Sequence, residues 1–122
     1  MLPRPYRLTR SADFARVRAE GRCWSNRELV LCRSANQLPH SRFGFAVSRR
    51  LGKAVTRNRI KRLLREAVRA EWPRILPGWD VVLIARAGSA ALDYWAMREA
   101  VCHLLRLAQL LAAERAGKYE QG

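Results

Sequence analysis

Acidic side chains are scarce in this chain of 122 residues, which has 10 of them against 24 basic ones and a formal net charge of +14. Such an excess of one sign repels itself in a compact state, and it favours a protein with an anionic partner. Apolar residues still make up 49% of the chain. That fraction excludes a disordered basic tail and is enough for one modest core. We expect a single domain over 1–122 that binds nucleic acid or, as a second choice, an acidic membrane surface.

Long apolar runs are also missing. No stretch approaches the roughly 18 uninterrupted apolar residues that a membrane-spanning helix needs. The first five residues lack the apolar segment of a secretory signal. Binding to a membrane surface usually requires a basic amphipathic helix with a broad apolar face, so we expect a cytoplasmic protein with nucleic acid, and no membrane, as its partner.

Cysteine and histidine are too few and too scattered to indicate a metal site. They are Cys23, Cys32, Cys102, His40 and His103, and no two cysteines form a CxxC pair. A zinc site needs about four ligands at recognisable spacing. We predict no bound metal, and we expect reduced, partly buried thiols because disulfides are rare in cytosolic proteins.

The sequence offers no protein active site. Asp13, Asp80 and Asp93 fall in separate predicted elements, so they form no carboxylate pair for two metal ions. No nucleophile stands beside a plausible base. We therefore expect no catalytic residue in the protein, and we interpret Asp80 as a turn or cap residue.

Hydrophobic periodicity predicts an α+β fold in the order α-β-β-β-α-β-α. The predicted helices are Ser11 to Gly21, Thr56 to Trp72, and a segment after Ser89. The predicted strands are Arg22 to Ser25, Glu28 to Cys32, Arg42 to Ser48 and Asp80 to Ala85, with 34–41 as a hairpin loop between the second and third. We expect a two-layer sandwich with a small mixed sheet of three to four strands and helices packed on it. Residues 1–10 are predicted to form an extended basic arm and 117–122 a frayed tail.

Two polar residues are interpreted as helix caps, and one strand as central. Ser11 and Thr56 are typical N-cap residues. Asp80 to Ala85 is a nearly continuous apolar run, which is typical of a strand covered on both faces.

The most informative segment is 49–69, which holds nine basic residues and one acidic residue. Its apolar residues recur at helical spacing, and they are Ile60, Leu63, Leu64, Ala67 and Val68. Arg57, Lys61 and Arg65 follow one another four residues apart and form a ridge, which Arg62 and Arg69 widen. With Thr56 as the cap, Arg57 and Arg59 lie in the first turn, where the helix dipole disfavours cations by up to about 1 kcal/mol each. A phosphate bound there would remove the conflict.

At these residues the chain resembles a known family. Arg57-Asn58-Arg59, set within 52–66, is similar to the RNR signature of the bacterial ribonuclease P protein family. Ser11 to Gly21 resembles the family's first helix, Phe43 to Arg50 the strand that leads into the signature, and Gly78 to Arg86 its DVVxIAR strand. Together these segments cover most of residues 7–110 in the family's order.

The resemblance implies a protein subunit that binds a catalytic RNA and helps to remove 5′ leaders from precursor tRNA. Catalysis would come from the RNA, which would also hold Mg²⁺, and the protein alone would bind no cofactor and need no obligate protein partner. The residues expected to contact ribonuclease P RNA are Arg49, Arg50, Lys53, Arg57, Asn58, Arg59, Lys61, Arg62, Arg65 and Arg69.

The resemblance also implies a cleft for the single-stranded leader between the first helix and the sheet. The matching positions are Phe14, Val17, Arg18, Cys32, Phe45 and Val47. The apolar ones fit either a cleft or an ordinary core. Arg18 and Cys32 stand where relatives often carry an aromatic, so guanidinium–phosphate contacts would partly replace base stacking in this chain.

Two other functions are compatible with the composition. A structural RNA-binding protein of the ribosome would show the same charge and fold type. A helix-turn-helix DNA-binding protein fits less well, because no short partner helix directly precedes the basic helix.

Overall fold

The computed structural model describes residues 4–112, so the tail predicted at 117–122 lies outside the described residues. Within them the α-helices are α1 (Ser11–Glu20), α2 (Ala54–Glu71) and α3 (Tyr94–Leu107). The strands are β1 (Arg22–Ser25), β2 (Leu29–Ala35), β3 (Arg42–Ala46) and β4 (Trp79–Ala85). Short 3-10 turns occupy Arg4–Tyr6, Arg49–Leu51, Trp72–Arg74 and Ala87–Ala91. The predicted α+β class and element order are confirmed.

The strands form one mixed sheet in the order β1-β2-β4-β3. Strand β4 pairs antiparallel with β2 and parallel with β3. The predicted hairpin between β2 and β3 is therefore wrong, because β4 lies between them. The 36–41 loop instead crosses the end of the sheet, where the Asn36 amide N–H donates to the Gly78 carbonyl at 2.9 Å. Strand patterning identifies strands but does not identify their partners.

Strand β4 is covered on both faces, as its apolar run predicts. Val81 and Leu83 belong to the main core, which also contains the apolar stripe of α2 and the inner face of α3. Val82 packs on the opposite face with Val17 of α1 and Leu8. The main layers are thus the sheet and the α2–α3 pair, and α1 adds a partial layer on the other side.

Neither predicted N-cap holds that position. Ser11 is the first residue of α1 and Thr56 the third of α2, while Arg10 and Lys53 occupy the cap positions without a side-chain cap bond. A cap that the sequence analysis missed starts α3, where the Asp93 carboxylate accepts a hydrogen bond from the Ala96 amide at 2.8 Å.

The N-terminal segment is folded onto the domain, so the prediction of an extended arm is wrong for the described part. Arg4–Tyr6 forms a 3-10 turn, and the Leu8 amide then donates to the Phe43 carbonyl at 2.8 Å. The Tyr6 ring packs against His40 and Trp72, with ring centroids 5.2 and 5.1 Å apart. These aromatic contacts and the Leu8 hydrogen bond hold the segment against the domain.

The prediction of reduced thiols is wrong for two of the three cysteines. Cys23 of β1 and Cys32 of β2 are paired across the antiparallel ladder and joined by a disulfide. Cys102 is free and buried. The pair was missed because strand register, and not sequence spacing, brings Cys23 and Cys32 together.

The buried carboxylate of Asp80 ties α1 and β3 to β4. Its Oδ1 accepts hydrogen bonds from Arg42 Nε and Asn36 Nδ2, both at 2.9 Å. Its Oδ2 accepts from Arg42 at 2.8 Å and from Arg16 of α1. Burial alone would raise the pKa of Asp80, but the hydrogen bonds from Arg42, Asn36 and Arg16 outweigh it and hold the pKa below its ordinary value. Asp80 is therefore a buried ion-pair centre and not the turn or cap residue expected.

A second buried carboxylate fastens the two long helices. Glu71 at the end of α2 accepts from Arg74 at 2.6 Å and from Arg98 of α3 at 3.4 Å. Burial opposes ionisation of Glu71, but both guanidinium groups favour it, and the pKa lies below its ordinary value.

We predict that Asp80→Asn lowers stability and flattens its dependence on acid. A depressed folded-state pKa stabilises the protein above the unfolded-state pKa of about 3.9, and this stabilisation is lost as the pH falls below that value and through the lower folded-state pKa. The variant should lose up to about 3 kcal/mol at neutral pH, because Arg16 and Arg42 lose their shared anion. Urea unfolding between neutral pH and acid measures both effects. Glu20→Gln, which removes an exposed carboxylate, should unfold like the original chain.

We predict that Leu64→Ala destabilises the domain by about 2–5 kcal/mol, because Leu64 is fully buried in the main core. The exposed Arg62 on the same helix supplies a control, since Arg62→Ala should stay within about 0.5 kcal/mol. Thermal or urea unfolding measures the difference. Equal melting of the two variants would contradict the observed orientation of α2.

Candidate nucleic-acid interface

Helix α2 presents a cationic surface because its apolar stripe is turned into the core. All five residues of the predicted stripe are buried, which confirms the helix orientation. We define the α2 basic face as six polar residues that lie outside this stripe: Arg57, Asn58, Lys61, Arg62, Arg65 and Arg69. Asn58, Arg62 and Arg69 are exposed, and the other three are half-buried along the flank.

No carboxylate within residues 4–112 forms an ion pair with this face, including the exposed Glu66 on the same helix. The ion pairs found within residues 4–112 join Asp13, Asp80 and Glu71 to Arg16, Arg42, Arg74 and Arg98. Because none of these arginines belongs to the α2 basic face, its charge is available to an external anion.

The turn before α2 adds three more exposed cations. Ser48 Oγ accepts from the Arg50 amide at 3.1 Å and shapes the 3-10 turn that carries Arg49 and Arg50. Gly52 follows with a φ of 137°, a conformation that side chains rarely adopt. Lys53 then occupies the N-cap position, where its side chain makes no cap hydrogen bond. Free amide N–H groups and cations thus meet at the beginning of α2, which suits a phosphate.

The true start of α2 changes the dipole argument. Because the helix begins at Ala54, Arg57 closes the first turn and Arg59 lies in the second. The dipole effect fades beyond the first turn, so the unfavourable interaction of cations with the helix dipole concerns Lys53 and Arg57. Placing Arg59 in the first turn was wrong, since Thr56 is not the cap.

Two arginines of the predicted RNA-contacting set bind backbone carbonyls: Arg57 Nε donates to the nearby Gly52 carbonyl at 3.2 Å, and Arg59 reaches a segment distant in sequence. Its guanidinium donates to the Leu92 carbonyl at 2.8 Å and to the Ala90 carbonyl at 3.5 Å. These contacts fasten the 87–91 turn to α2. Arg59 therefore has a structural contact that its position in the motif did not indicate.

A groove lies between α1 and the edge strand β3. Its volume is about 410 Å³, and it is lined by Thr9, Ser11, Phe14, Ala15, Arg18 and Ala46. The Phe14 ring lies directly over Gly44, where an added Cβ would come within 2.5 Å of the ring's Cζ atom. Glycine at this position lets the aromatic ring form the floor of the groove.

The predicted leader-cleft residues do not all reach this groove. Phe14 and Arg18 line it, but Val17 and Cys32 are buried in the small core under α1. Phe45 and Val47 pack against the main core on the other face of the sheet. Assigning these two residues to the cleft was wrong. Successive residues of a strand point to opposite faces of the sheet, and the groove lies on the face opposite to Phe45 and Val47. The buried Phe43 could have signalled that its neighbours Gly44 and Ala46 face α1.

Residues 4–112 offer neither a metal-binding cluster nor a membrane-spanning helix. They contain no cluster of three or more His, Cys, Asp or Glu side chains that could hold a metal ion. No helix in this part of the chain combines the length and the apolarity needed to cross a membrane.

Comparison with known families and structures agrees with the geometry. The family model described as Ribonuclease P matches residues 2–109. The experimentally solved RNase P protein of Staphylococcus aureus is 34% identical, with a TM-score of 0.82 over 87% of this chain and 97% of that one. The RNase P protein of Thermotoga maritima is also 34% identical, with a TM-score of 0.77 over 83% of this chain and 96% of that one.

Sequence relatives extend over nearly the whole chain. The ribonuclease P protein component of Roseiflexus sp. (strain RS-1) is 42% identical over 122 residues, which is 99% of this chain and 100% of that protein. That of Herpetosiphon aurantiacus is 44% identical over 109 residues, which is 89% of each chain. This chain belongs to the ribonuclease P protein family.

Proposed function

We propose that this chain is the protein subunit of ribonuclease P and that its α2 basic face binds the ribonuclease P RNA. The observation that carries the proposal is the row of cations on α2, which the described carboxylates leave unpaired. Arg57 and Arg69 are twelve residue steps apart, so the row extends over about 18 Å of helix. Arg49, Arg50 and Lys53 continue it at the helix start and would hold phosphates beside the free amide groups.

The protein would support the reaction without supplying its chemistry. Its interface consists mainly of guanidinium groups, which stay protonated and act neither as general bases nor as metal ligands. Mg²⁺ is a hard ion that retains water and prefers phosphate oxygens, so we propose that the RNA holds it. Cations of the protein would instead reduce repulsion between phosphates of the RNA and the substrate.

The 5′ leader of precursor tRNA would lie in the groove between α1 and β3. Phe14 offers an aromatic surface to a base, and Arg18 is exposed at the same groove for a phosphate. This pair combines the stacking and charge contacts that bind single strands. The partners of this chain would be the ribonuclease P RNA and precursor tRNA, with no obligate protein partner. The holoenzyme would act in the cytoplasm. Neither the family match nor the named relatives support the ribosomal alternative.

We predict that Lys61→Gln with Arg65→Gln weakens binding to ribonuclease P RNA. Loss of two phosphate contacts should flatten the plot of log affinity against log salt concentration by about one to two units. Cleavage of precursor tRNA by the reconstituted holoenzyme should slow at low Mg²⁺ and recover at high Mg²⁺.

The matched control for that experiment is Arg27→Gln with Arg106→Gln, which removes the same charge from exposed positions off α2. It should retain the salt dependence and cleavage rate of the original chain. Equal losses in both double variants would reject the α2 basic face as the binding surface. If the original chain fails to accelerate cleavage over RNA alone at low Mg²⁺, the proposed function is wrong.

We predict that Phe14→Ala weakens holoenzyme binding of precursor tRNA by about fivefold, which corresponds to about 1 kcal/mol for one lost stacking contact. Affinity for mature tRNA, which has no leader, should stay unchanged. Gly44→Ala should act in the same direction, because the new methyl group displaces the Phe14 ring. Equal losses for both substrates would show that the groove does not contact the leader.

A further inference from the structure

Two tryptophans and two arginines form a compact patch at the β1 edge of the sheet. We define the tryptophan–arginine patch as Arg22, Trp24, Arg33 and Trp79. The Arg33 guanidinium carbon lies 4.0 Å from the Trp79 ring centroid and 5.3 Å from that of Trp24. The guanidinium carbon of Arg22 lies 5.0 Å from the Trp24 ring centroid. Arg33 is thus stacked on one indole and close to a second.

Each cation has an indole contact, Arg22 with Trp24 and Arg33 with Trp79, but these contacts do not remove the repulsion between the two guanidinium groups. Cation–π contacts can stabilise Arg33 over Trp79. Arg22, however, is the direct cross-strand partner of Arg33, and like charges at such positions are destabilising. Burial and the Arg22 charge both lower the pKa of Arg33, so the pair is electrostatically unfavourable. An anion between the two guanidinium groups would reverse that repulsion.

The described residues do not supply that anion. Among residues 4–112 neither guanidinium takes part in an ion pair or donates a side-chain hydrogen bond. Arg22 is exposed, and Arg33 is half-buried between the indoles. A stacked guanidinium keeps its N–H groups in one plane with limited freedom, which favours two-point contact with a phosphate.

The patch lies apart from the start of α2 and from the groove. It covers the end of the sheet where β4 begins, whereas the turn leading to α2 follows the opposite end, where β3 closes beside Ile84. Six residue steps along β4 correspond to about 20 Å. The patch also faces the α3 side of the sheet, because Trp24 and Trp79 pack against the main core, whereas the groove lies on the α1 side.

We propose that the tryptophan–arginine patch binds a single-stranded RNA segment, with a phosphate between Arg22 and Arg33 and a base against an indole. Paired arginines would account for any phosphate, but the half-buried Trp24 indole and the guanidinium plane of Arg33 stacked on Trp79 add a surface for a base. This second RNA contact goes beyond the proposed function, since it uses neither the α2 basic face nor the groove.

The test measures binding of a fluorescent uridylate RNA of about ten nucleotides, a typical single-strand site size, to the full chain. Binding is measured in the Lys61→Gln/Arg65→Gln background to reduce the contribution of α2. Arg22→Gln and Arg33→Gln should each weaken binding by about threefold to tenfold, and each should reduce the salt slope by about 0.7. Arg27→Gln removes an equal charge from the neighbouring β1–β2 turn and should have little effect.

Two further measurements make the outcome decisive. Circular dichroism shows whether each variant folds. If Arg33→Gln does not fold, binding is compared between the original chain and Arg22→Gln, which changes an exposed residue. Crosslinking of 4-thiouridine RNA should label peptides that contain Trp24 or Trp79. Labelling confined to α1 and α2 would overturn the proposal, and so would equal effects of Arg22→Gln and Arg27→Gln on binding. Polyglutamate serves as a competitor that carries charge but no bases. If it displaces the RNA as well as unlabelled uridylate RNA does, the proposal is likewise overturned. Cleavage by the α2 variants tests the proposed function separately.

Discussion

The carboxylate of Asp80 is the contact on which the arrangement of this domain depends. It lies at the start of the central strand and binds Arg42 of β3, Arg16 of α1 and Asn36 of the loop that crosses the sheet. Without this anion, two cations would face each other at the junction of three elements. Through Arg16 it also fixes α1 over the sheet, and the position of α1 determines the width of the groove.

The scarcity of carboxylates links stability to RNA binding. Asp80 and Glu71 are both buried and hold structural arginines, so the acids that form the strongest contacts lie away from the surface. Cations on α2 and at the β1 edge are left for external anions. Folding therefore proceeds against surface repulsion, which the core must offset, and a bound polyanion stabilises the folded state by mass action.

Sequence reasoning succeeded where the signal was local and failed where it depended on pairing. The spacing of the apolar residues of α2 predicted its buried stripe, and the run from Asp80 to Ala85 predicted a central strand. Phe45 and Val47 were assigned to the wrong face, because a shift of one residue inverts a strand. The Cys23–Cys32 disulfide and the position of β4 between β2 and β3 are likewise results of register, which periodicity along one strand does not contain.

By itself, the amino-acid sequence determined the element order, the cationic side of α2 and the resemblance to a family, because charge, helical period and motif spacing are written along the chain. Only the tertiary structure decided which of those cations are free. It placed Arg59 on the carbonyls of the 87–91 turn, it set Phe14 over Gly44 to form the groove, and it brought Arg22 beside Arg33. Each of these outcomes depends on contacts between residues far apart in sequence, where packing geometry, and not composition, selects the partner.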